Sequence, residues 1–453
     1  MTIDFYYVPG SAPCRAVRLA AAAVGVNLNL KLMDLKNGEH LKPEFVKRNP
    51  QHTVPTINDN GFVLWESRAI MGYLVDQYAK NDSLYPKEPK ARALVNQRLF
   101  FDQGNLYASL ADYYYPILFA GAPADPAKFE KIAGVLGFLD KFLEGQKYVA
   151  GKNLTIADLT IIATITTFEA LSYDITPFKN ITRWAAEIKA EAPKYQEANA
   201  DGVEAFKELV RALKFILPRF QLFLEDPVLD RLARGTMSID FYYLPFSPPC
   251  RAVMLTAEAI GLPLNYKNLD ILTGEHLTPE YEQMNPQRTI PFIVDEDYKL
   301  SESRAIMCYL VDQYGGDSGL YPTGASERAV VQHRLQFDVG SLYKCIAAYY
   351  YPVVFRGETE YNEPNYEKLK EAFKILDKLL EGNEWAAGSD MTIADLSLVS
   401  SVTTAEAFGF DLADYSNVAD WLERVKSTAP GYDTANAEGV ETLKKITGDT
   451  SAE

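Results

Sequence analysis

Histidine and cysteine are scarce in this chain, with four of each in 453 residues. So few cysteines over such a length do not make a disulfide framework, and a reducing compartment is expected. None of the histidines stands at a metal-ligand spacing from a cysteine or another histidine, so no metal is expected. No run of about 18 apolar residues offers a helical membrane span. The opening MTIDFYYVPG lacks the basic start and long apolar stretch of a secretory leader, which makes the expected location cytoplasmic. Positive charge is short as well: 45 Lys and Arg against 61 Asp and Glu leave a net charge of −16. Broad nucleic-acid binding is disfavoured, because its affinity comes from neutralising phosphates. A local basic pocket for a small anion stays open.

What is present is a pattern written twice. YYVPGSAPCRAVRLAAAAVGV from Tyr6 returns as YYLPFSPPCRAVMLTAEAIGL from Tyr242, 236 residues on. ESRAIMGYLVDQY from Glu66 returns from Glu302, and ADYYYPILF from Ala111 returns as AAYYYPVVF from Ala347. A period above 200 residues implies two complete folding units, each able to bury its own core. Short-period solenoids are excluded.

Each copy reads alike. IDFYYV is a strand, broken by Pro9, Gly10 and Ser11. From Pro13 the apolar spacing turns helical through Val17, Leu19, Ala20 and Val24. LNLKLMDL from Leu28 and FVLWES from Phe62 read as further strands, and RAIMGYLVDQY as a helix. This is a βαβ unit followed by a hairpin and a helix. Beyond Pro86 helical patterns dominate, from Ala91 to about Ala120 and from Pro126 to about Leu143. Thr155 three residues before Asp158, and Thr392 before Asp395, read as structural N-caps. Between the copies, Asp226-Pro227 and Gly235 frame a short helix over about 227–234. The fold class is therefore α/β plus all-α, taken twice. The expected boundaries are 1–82 and 88–217, a linker over 218–236, then 237–318 and 324–447.

Three elements in each copy carry chemistry. Ser11 stands just before a helix, whose N-terminus favours an anion and where a hydroxyl can donate to a thiolate; alone it is as readily a plain cap. NPQHTVPT places Pro55 as a candidate cis proline, exposing the Val54 backbone to an added strand, unless it is a simple turn. Trp65-Glu66-Ser67-Arg68 lies at a strand-to-helix junction. There Ser67 and the first amides suit a carboxylate and Glu66 an ammonium, or the motif is another cap.

Together, and in this order, PGSAPCR, GEHLKPEF, NPQHTVPT, ESRAIM and ADYYYP resemble the glutathione transferase family, nearest the insect delta class and then epsilon. The resemblance covers both copies almost entirely. It implies a thioredoxin-like N-terminal domain and an all-helical C-terminal domain in each copy, with glutathione as co-substrate. Residue by residue, it makes Ser11 the hydroxyl that stabilises the thiolate. His40 and His52 take the glycyl end, and Val54 before Pro55 pairs the peptide backbone. Glu66, Ser67 and Arg68 take the γ-glutamyl end, with Asp102 supporting Arg68. The pocket for a flat apolar electrophile falls on Val8, Ala12, Pro13, Leu35, Tyr107, Leu110, Tyr115, Leu118, Phe119 and Phe206, each of which is otherwise a core residue.

The second copy keeps Ser247, His276, Ile290, Pro291, Glu302, Ser303, Arg304 and Asp338. Arg288 replaces His52, and Phe246 replaces Gly10 beside the serine. Its electrophile pocket would use Phe246, Tyr343, Ile346, Tyr351, Val354, Phe355 and Leu443. Cys14 and Cys250 open a helix but form no Cys-x-x-Cys pair, so a structural role is favoured over a redox one. Cys308 and Cys345 are expected buried, and His333 on the surface.

The expected reaction is attack by glutathione sulfur on an electrophilic carbon at two non-identical sites. The alternatives are a ligandin-like binder or structural protein for apolar molecules, or a glutathione-dependent isomerase or peroxidase. Transferases of this kind pair as two-fold dimers, so an intramolecular pseudo-dimer is expected here, with no membrane or nucleic-acid partner.

Overall fold

β1 (Thr2–Tyr7) turns Ile3 and Phe5 to the interior and leaves Thr2 exposed, the period-two pattern of a half-buried strand. The computed structural model describes residues 2–214, 239–316 and 318–447, with side chains other than those of 212–214. It divides into two units, Met1–Val228 and Leu229–Glu453. The expected linker and the short helix within it lie outside the described residues.

In the first unit β1 pairs in parallel with β2 (Asn27–Leu32) and antiparallel with β3 (Thr56–Asp59). β3 pairs antiparallel with β4 (Phe62–Trp65), giving the order β2-β1-β3-β4. A parallel pair needs a crossover, and α1 (Ala12–Val24) supplies it. Ser11 caps α1, Pro13 sits in its first turn, and Gly25 stops it at φ 77°, a conformation that favours glycine. The short α2 (Pro43–Val46) precedes β3, and α3 (Ser67–Tyr78) follows β4. This is the thioredoxin-like arrangement that the resemblance implies.

The helical half holds α4 (Pro89–Phe101), α5 (Tyr107–Ala120), α6 (Pro126–Phe142), α7 (Ile156–Ala170), α8 (Lys179–Glu191) and α9 (Asp201–Lys214). The helical pattern read from Ala91 to about Ala120 resolves into α4 and α5 with a π-helical turn, Asp102–Leu106, between them. α7 is buried along nearly its whole length and packs against α1, which fits its all-round apolar sequence. The expected cap holds it: Asp158 accepts from the Thr155 backbone N–H at 2.9 Å. The other Asp158 oxygen accepts from Val149 N–H and Trp184 Nε1, both at 2.9 Å.

The second unit repeats this plan. Its sheet is β6-β5-β7-β8, from β5 (Ile239–Tyr243), β6 (Leu264–Asn268), β7 (Phe292–Asp295) and β8 (Tyr298–Ser301). Its helices are α10 (Pro248–Ala259), α11 (Pro279–Met284), α12 (Ser303–Tyr314), α13 (Ala325–Phe337), α14 (Tyr343–Arg356), α15 (Glu363–Leu380), α16 (Ile393–Ala407), α17 (Ser416–Thr428) and α18 (Glu438–Thr447). The helix caps Asp125 and Asn362 are one residue further apart than the earlier landmarks. The second unit therefore carries one extra residue between α14 and α15, in the segment that stacks Tyr361 on Tyr349.

Two expectations are corrected. His333 is not on the surface but 1% exposed, because α13 is buried on most of its faces. Its Nδ1 meets the Arg334 guanidinium, and burial pushes its imidazole well below the ordinary range. Cys345 is half-buried rather than buried. No helix among the described residues is long and apolar enough to cross a membrane.

Candidate functional site

Ser11 stands half-buried at the turn from β1 into α1, with φ −68° and ψ 121°. Its hydroxyl oxygen accepts from Cys14 N–H at 3.4 Å, a long cap bond that leaves the hydroxyl proton free to donate. Ser247 takes the same backbone conformation, φ −69° and ψ 120°, ahead of α10. The neighbouring Cys14 and Cys250 thiols are free and buried. Burial pushes the Cys14 thiol up to about 11 and Cys250 up to about 12, against the lowering effect of the adjacent serine hydroxyls.

The loop before β3 is fixed by Asn49. Its amide donates to Thr53 C=O and Thr56 Oγ1, both at 2.9 Å, and its oxygen accepts from Gln51 N–H at 2.9 Å. The Val54–Pro55 peptide is cis, as is Ile290–Pro291. Among the described residues no backbone hydrogen bond engages the Val54 N–H or C=O. In the second unit Asn285 holds Thr289 C=O at 2.7 Å in the same way.

Glu66 takes a strained backbone conformation, φ 69° without being glycine, and Glu302 repeats it at φ 70°. The Glu66 carboxylate stands at the head of α3, where burial raises its pKa against the pull of Arg68, Gln103 and Gln51. Ser67 and Arg68 follow, both buried. Arg68 donates to Ser67 Oγ at 3.2 Å and to the Asp102 carboxylate in the π-helical turn. Thr164 of α7 donates to the second Asp102 oxygen at 2.8 Å. Arg304 and Asp338 meet at 2.5 Å, with Ser401 in the place of Thr164. The second unit adds a bond: Ser397 accepts from Arg304 Nε at 3.0 Å, where in the first unit Arg68 Nε is buried without a partner.

His40 and His52 bring their rings to 6.0 Å. Among the described residues the buried Nδ1 atoms of His40 and His276 have no partner. Arg288 lies 3.9 Å from Glu282. Burial first, and then the neighbouring His52 or Arg288, holds His40 and His276 below the ordinary imidazole pKa.

Among the expected electrophile residues, Tyr107 and Tyr115 share a hydrogen bond of 3.0 Å, and Phe119 stands edge-on to Tyr115 at 5.5 Å. Tyr343 and Tyr351 keep the bond at 3.3 Å, with Phe355 at 5.2 Å from Tyr351. Phe206 lies directly over Gly10, where a side chain would start 3.1 Å from the Phe206 Cβ. Val8, Pro13, Leu118, Phe246 and Val354 are half-buried, and Leu35 and Phe119 are exposed. Ala12 and Leu443 are buried, and Leu110 and Ile346 have no exposed surface at all.

The sequence reading overlooked Gln51 and Gln287, whose side-chain amides donate to Glu66 at 3.5 Å and Glu302 at 2.9 Å. A glutamine beside the NP turn in both copies was the available signal. It also overlooked Arg15 and Arg251, which are fully buried one residue after the cysteines.

Family models match both units. The N-terminal domain model of glutathione S-transferase matches residues 1–76 and a related one 241–318; the C-terminal domain model matches 107–192 and 338–428. Among solved structures, the chain is similar to a delta-class glutathione transferase of Nilaparvata lugens, at 62% identity over 47% of this chain and 99% of that one, with a TM-score of 0.46. It is also similar to a glutathione transferase of Bombyx mori, at 46% identity over 46% of this chain and 98% of that one, with a TM-score of 0.45. An epsilon-class enzyme of the housefly, Musca domestica, is 36% identical over 47% of this chain and 98% of that one, with a TM-score of 0.45.

Proposed function

The chain belongs to the glutathione S-transferase family, and on that premise we propose that it conjugates glutathione to apolar electrophiles at two non-identical sites, one in each unit. The observation that carries this reading is the pair of serines. Ser11 and Ser247 hold the same backbone conformation at the head of a helix, each in a unit that also carries a Glu-Ser-Arg junction and a cis proline.

In this reading the serine hydroxyl and the helix N-terminus hold the glutathione sulfur as thiolate. A thiol of ordinary pKa, about 8.5, needs a drop of only one or two units to be mostly ionised at neutral pH. A larger drop would weaken the nucleophile. Glu66, Ser67 and Arg68 take the γ-glutamyl end, where Asp102 and Thr164 fix the arginine. His40 and His52 take the glycyl carboxylate, for which the unpaired His40 Nδ1 is a fitting donor. The free Val54 backbone pairs the peptide as an added strand. The thiol proton leaves to solvent, the C–S bond forms, and the electrophile's leaving group departs with its electron pair. The chain contributes orientation and anion stabilisation.

The two units differ in the residues proposed to line the pocket. The first unit carries its aromatic ring on α9, at Phe206 over Gly10. The second carries Phe246 beside the serine and the smaller Leu443 on α18. The proposal extends to assembly, with the two units of one cytosolic chain serving as each other's partner; a sedimenting particle of twice the chain's mass would count against it.

Calorimetric titration of glutathione into Ser11→Ala and Ser247→Ala chains, with turnover of a generic aryl halide, tests the function. Two binding events in the parent and residual turnover from the untouched unit in each variant are expected. One binding event per chain would sink the two-site reading. Binding of apolar dyes without turnover would move the protein to the ligandin-like class.

A further inference from the structure

Arg15 and Arg251 are fully buried charges that the reading above leaves without a task. We propose that each is a positioning charge, held without a counter-ion so that its field stabilises the glutathione sulfur anion at the serine of its own unit. The inference rests on the glutathione reading.

Arg15 lies in the first turn of α1, its backbone N–H bonded to the Ser11 carbonyl at 3.0 Å. Its guanidinium reaches into the helical half. Nη1 donates to Thr166 Oγ1 at 2.8 Å and Asn199 Oδ1 at 2.5 Å, and Nη2 to the Ala163 carbonyl at 3.0 Å and to Thr167 Oγ1. Nε has no partner. Every acceptor is neutral. Arg68 and Arg92, buried in the same unit, instead face Asp102 and Asp76. The second unit repeats the set: Arg251 donates to Thr403, Asn436, the Ser400 carbonyl and Thr404, and again leaves Nε unpaired.

A buried cation is ordinarily given a carboxylate, because desolvation without one is costly. Here the titratable groups that act most on Arg15 are Tyr195, Tyr115, Cys14 and Tyr107, and those that act most on Arg251 are Tyr351, Tyr432, Cys250 and Tyr343; Glu169 lies beyond Tyr195, and Glu406 and Lys426 beyond Tyr432. The tyrosines and cysteines among them are uncharged at neutral pH. Burial lowers both guanidinium pKa values to about 10, which still leaves them cationic there. The charge is anchored in the serine's own helical turn: Arg15 follows Cys14, whose backbone N–H donates to the Ser11 hydroxyl oxygen at 3.4 Å, and its own N–H donates to the Ser11 carbonyl. The charge is sealed from water by the last helix. A side chain on Gly202 would start 2.7 Å from Arg15 Cδ and 2.3 Å from the Pro9 carbonyl; at Gly439 the distances are 2.7 Å to Arg251 Cδ and 2.4 Å to the Pro245 carbonyl. A unit charge ~8 Å from a thiol, at an effective dielectric of ~20, lowers its pKa by about 1.5 units.

The competing account makes Arg15 a strut that joins α1, α7 and the segment before α9. Asn199→Asp separates the two. It places a carboxylate on the atom that Arg15 already meets, so the strut is kept and the field is cancelled. The Tyr195 hydroxyl, which accepts from Asn199 Nδ2 at 3.0 Å, can turn to donate. In a Ser247→Ala background, two readouts are followed: the pH midpoint of kcat/KM with an aryl halide, and the ultraviolet absorbance of bound thiolate. Both midpoints should rise by about one unit in Asn199→Asp, while the thermal midpoint holds or increases. Arg15→Lys should keep the parent midpoint and Arg15→Met should raise it. An unmoved midpoint in Asn199→Asp overturns the inference. Should that variant not fold, equal midpoints for Arg15→Lys and Arg15→Met overturn it. Absence of glutathione binding in the Ser247→Ala parent is failure of the functional reading, whereas binding with an unmoved midpoint is failure of this inference alone.

Discussion

The Arg68 guanidinium closes on the Asp102 carboxylate with both side chains shut away from water, 5% and 0% exposed. One partner opens α3 beside the sheet and the other opens the π-helical turn between α4 and α5. The pair thus ties the βαβ half of the unit to its helical half at the place where the γ-glutamyl end is proposed to bind. A break in the pair reaches both stability and binding.

Asp102→Ala leaves Arg68 buried without its counter-charge and removes the acceptor of Thr164. Breaking one side of such a buried pair costs ~3–5 kcal/mol. The first unit's unfolding midpoint in urea should fall accordingly, and its KM for glutathione should rise more than its kcat falls. Asp102→Asn, which keeps the shape and one acceptor, should lose less on both measures. A folded, fully stable Asp102→Ala chain with parental KM would show that the pair is incidental.

Gly10 and Phe206 form a volume pair, and Phe246 with Leu443 is its counterpart. Gly10→Phe should fail in the first unit, because the new side chain would start 3.1 Å from the Phe206 Cβ and 3.2 Å from its Cα. Overpacking of this kind costs ~1–3 kcal/mol or more. The double variant Gly10→Phe/Phe206→Leu should recover stability and shift the ranking of aryl and alkyl electrophiles toward that of the second unit. Competition assays across a substrate panel, in a Ser247→Ala background, read the ranking. Additive losses with no recovery would separate the two positions.

The histidines proposed to take the glycyl end predict unequal pH responses. Burial holds His40 below its ordinary pKa, so the free protein keeps it neutral at pH 7. An arriving carboxylate favours the protonated ring, so binding takes up a proton. The first site's affinity for S-methylglutathione, which has no thiol to ionise, should therefore tighten as pH falls from about 8 to about 6. In the second unit Arg288 carries its charge throughout, so that site should respond less. Stability runs the other way. With the folded-state pKa of His40 and His276 lowered, the unfolded chain binds more protons, and stability falls as pH drops below about 6.5. Calorimetry on Ser247→Ala and Ser11→Ala chains across this range checks the affinities. A steeper response at the Arg288 site would contradict the assignment.

Much of the local structure around the candidate site was legible because its signals are local. The serine, the prolines beside it and the helix they open lie within a few residues, and the Thr155–Asp158 cap is a four-residue motif. The Glu-Ser-Arg junction is equally local. What was not legible depends on contacts far along the chain. The acceptors that make Arg15 notable lie 151 and 184 residues away, at Thr166 and Asn199. His333 read as a surface residue because α13 is buried on most of its faces, which its mixed polar and apolar sequence does not announce. The π-helical turn that presents Asp102 left no break in the helical pattern.

The cysteines permit a final discrimination. Were Cys14 or Cys250 a redox or nucleophilic group, its thiol would be exposed and its pKa lowered. Instead both are buried, and burial lifts them to about 11 and about 12, as it lifts Cys308 to about 12. Cys345 alone is partly open, with its thiol also raised by burial. A chromogenic disulfide reagent at about pH 8 should therefore label at most one of the four thiols, slowly, in the native protein, and all four in denaturant. Saturating glutathione should leave the native count unchanged, since the reaction proposed here runs through the thiol of the co-substrate. Cys14→Ala and Cys250→Ala should keep their pH–rate profiles even where packing loss lowers stability. Rapid native labelling of two thiols, blocked by glutathione and matched by loss of turnover, would transfer the chemistry from the serines to the cysteines.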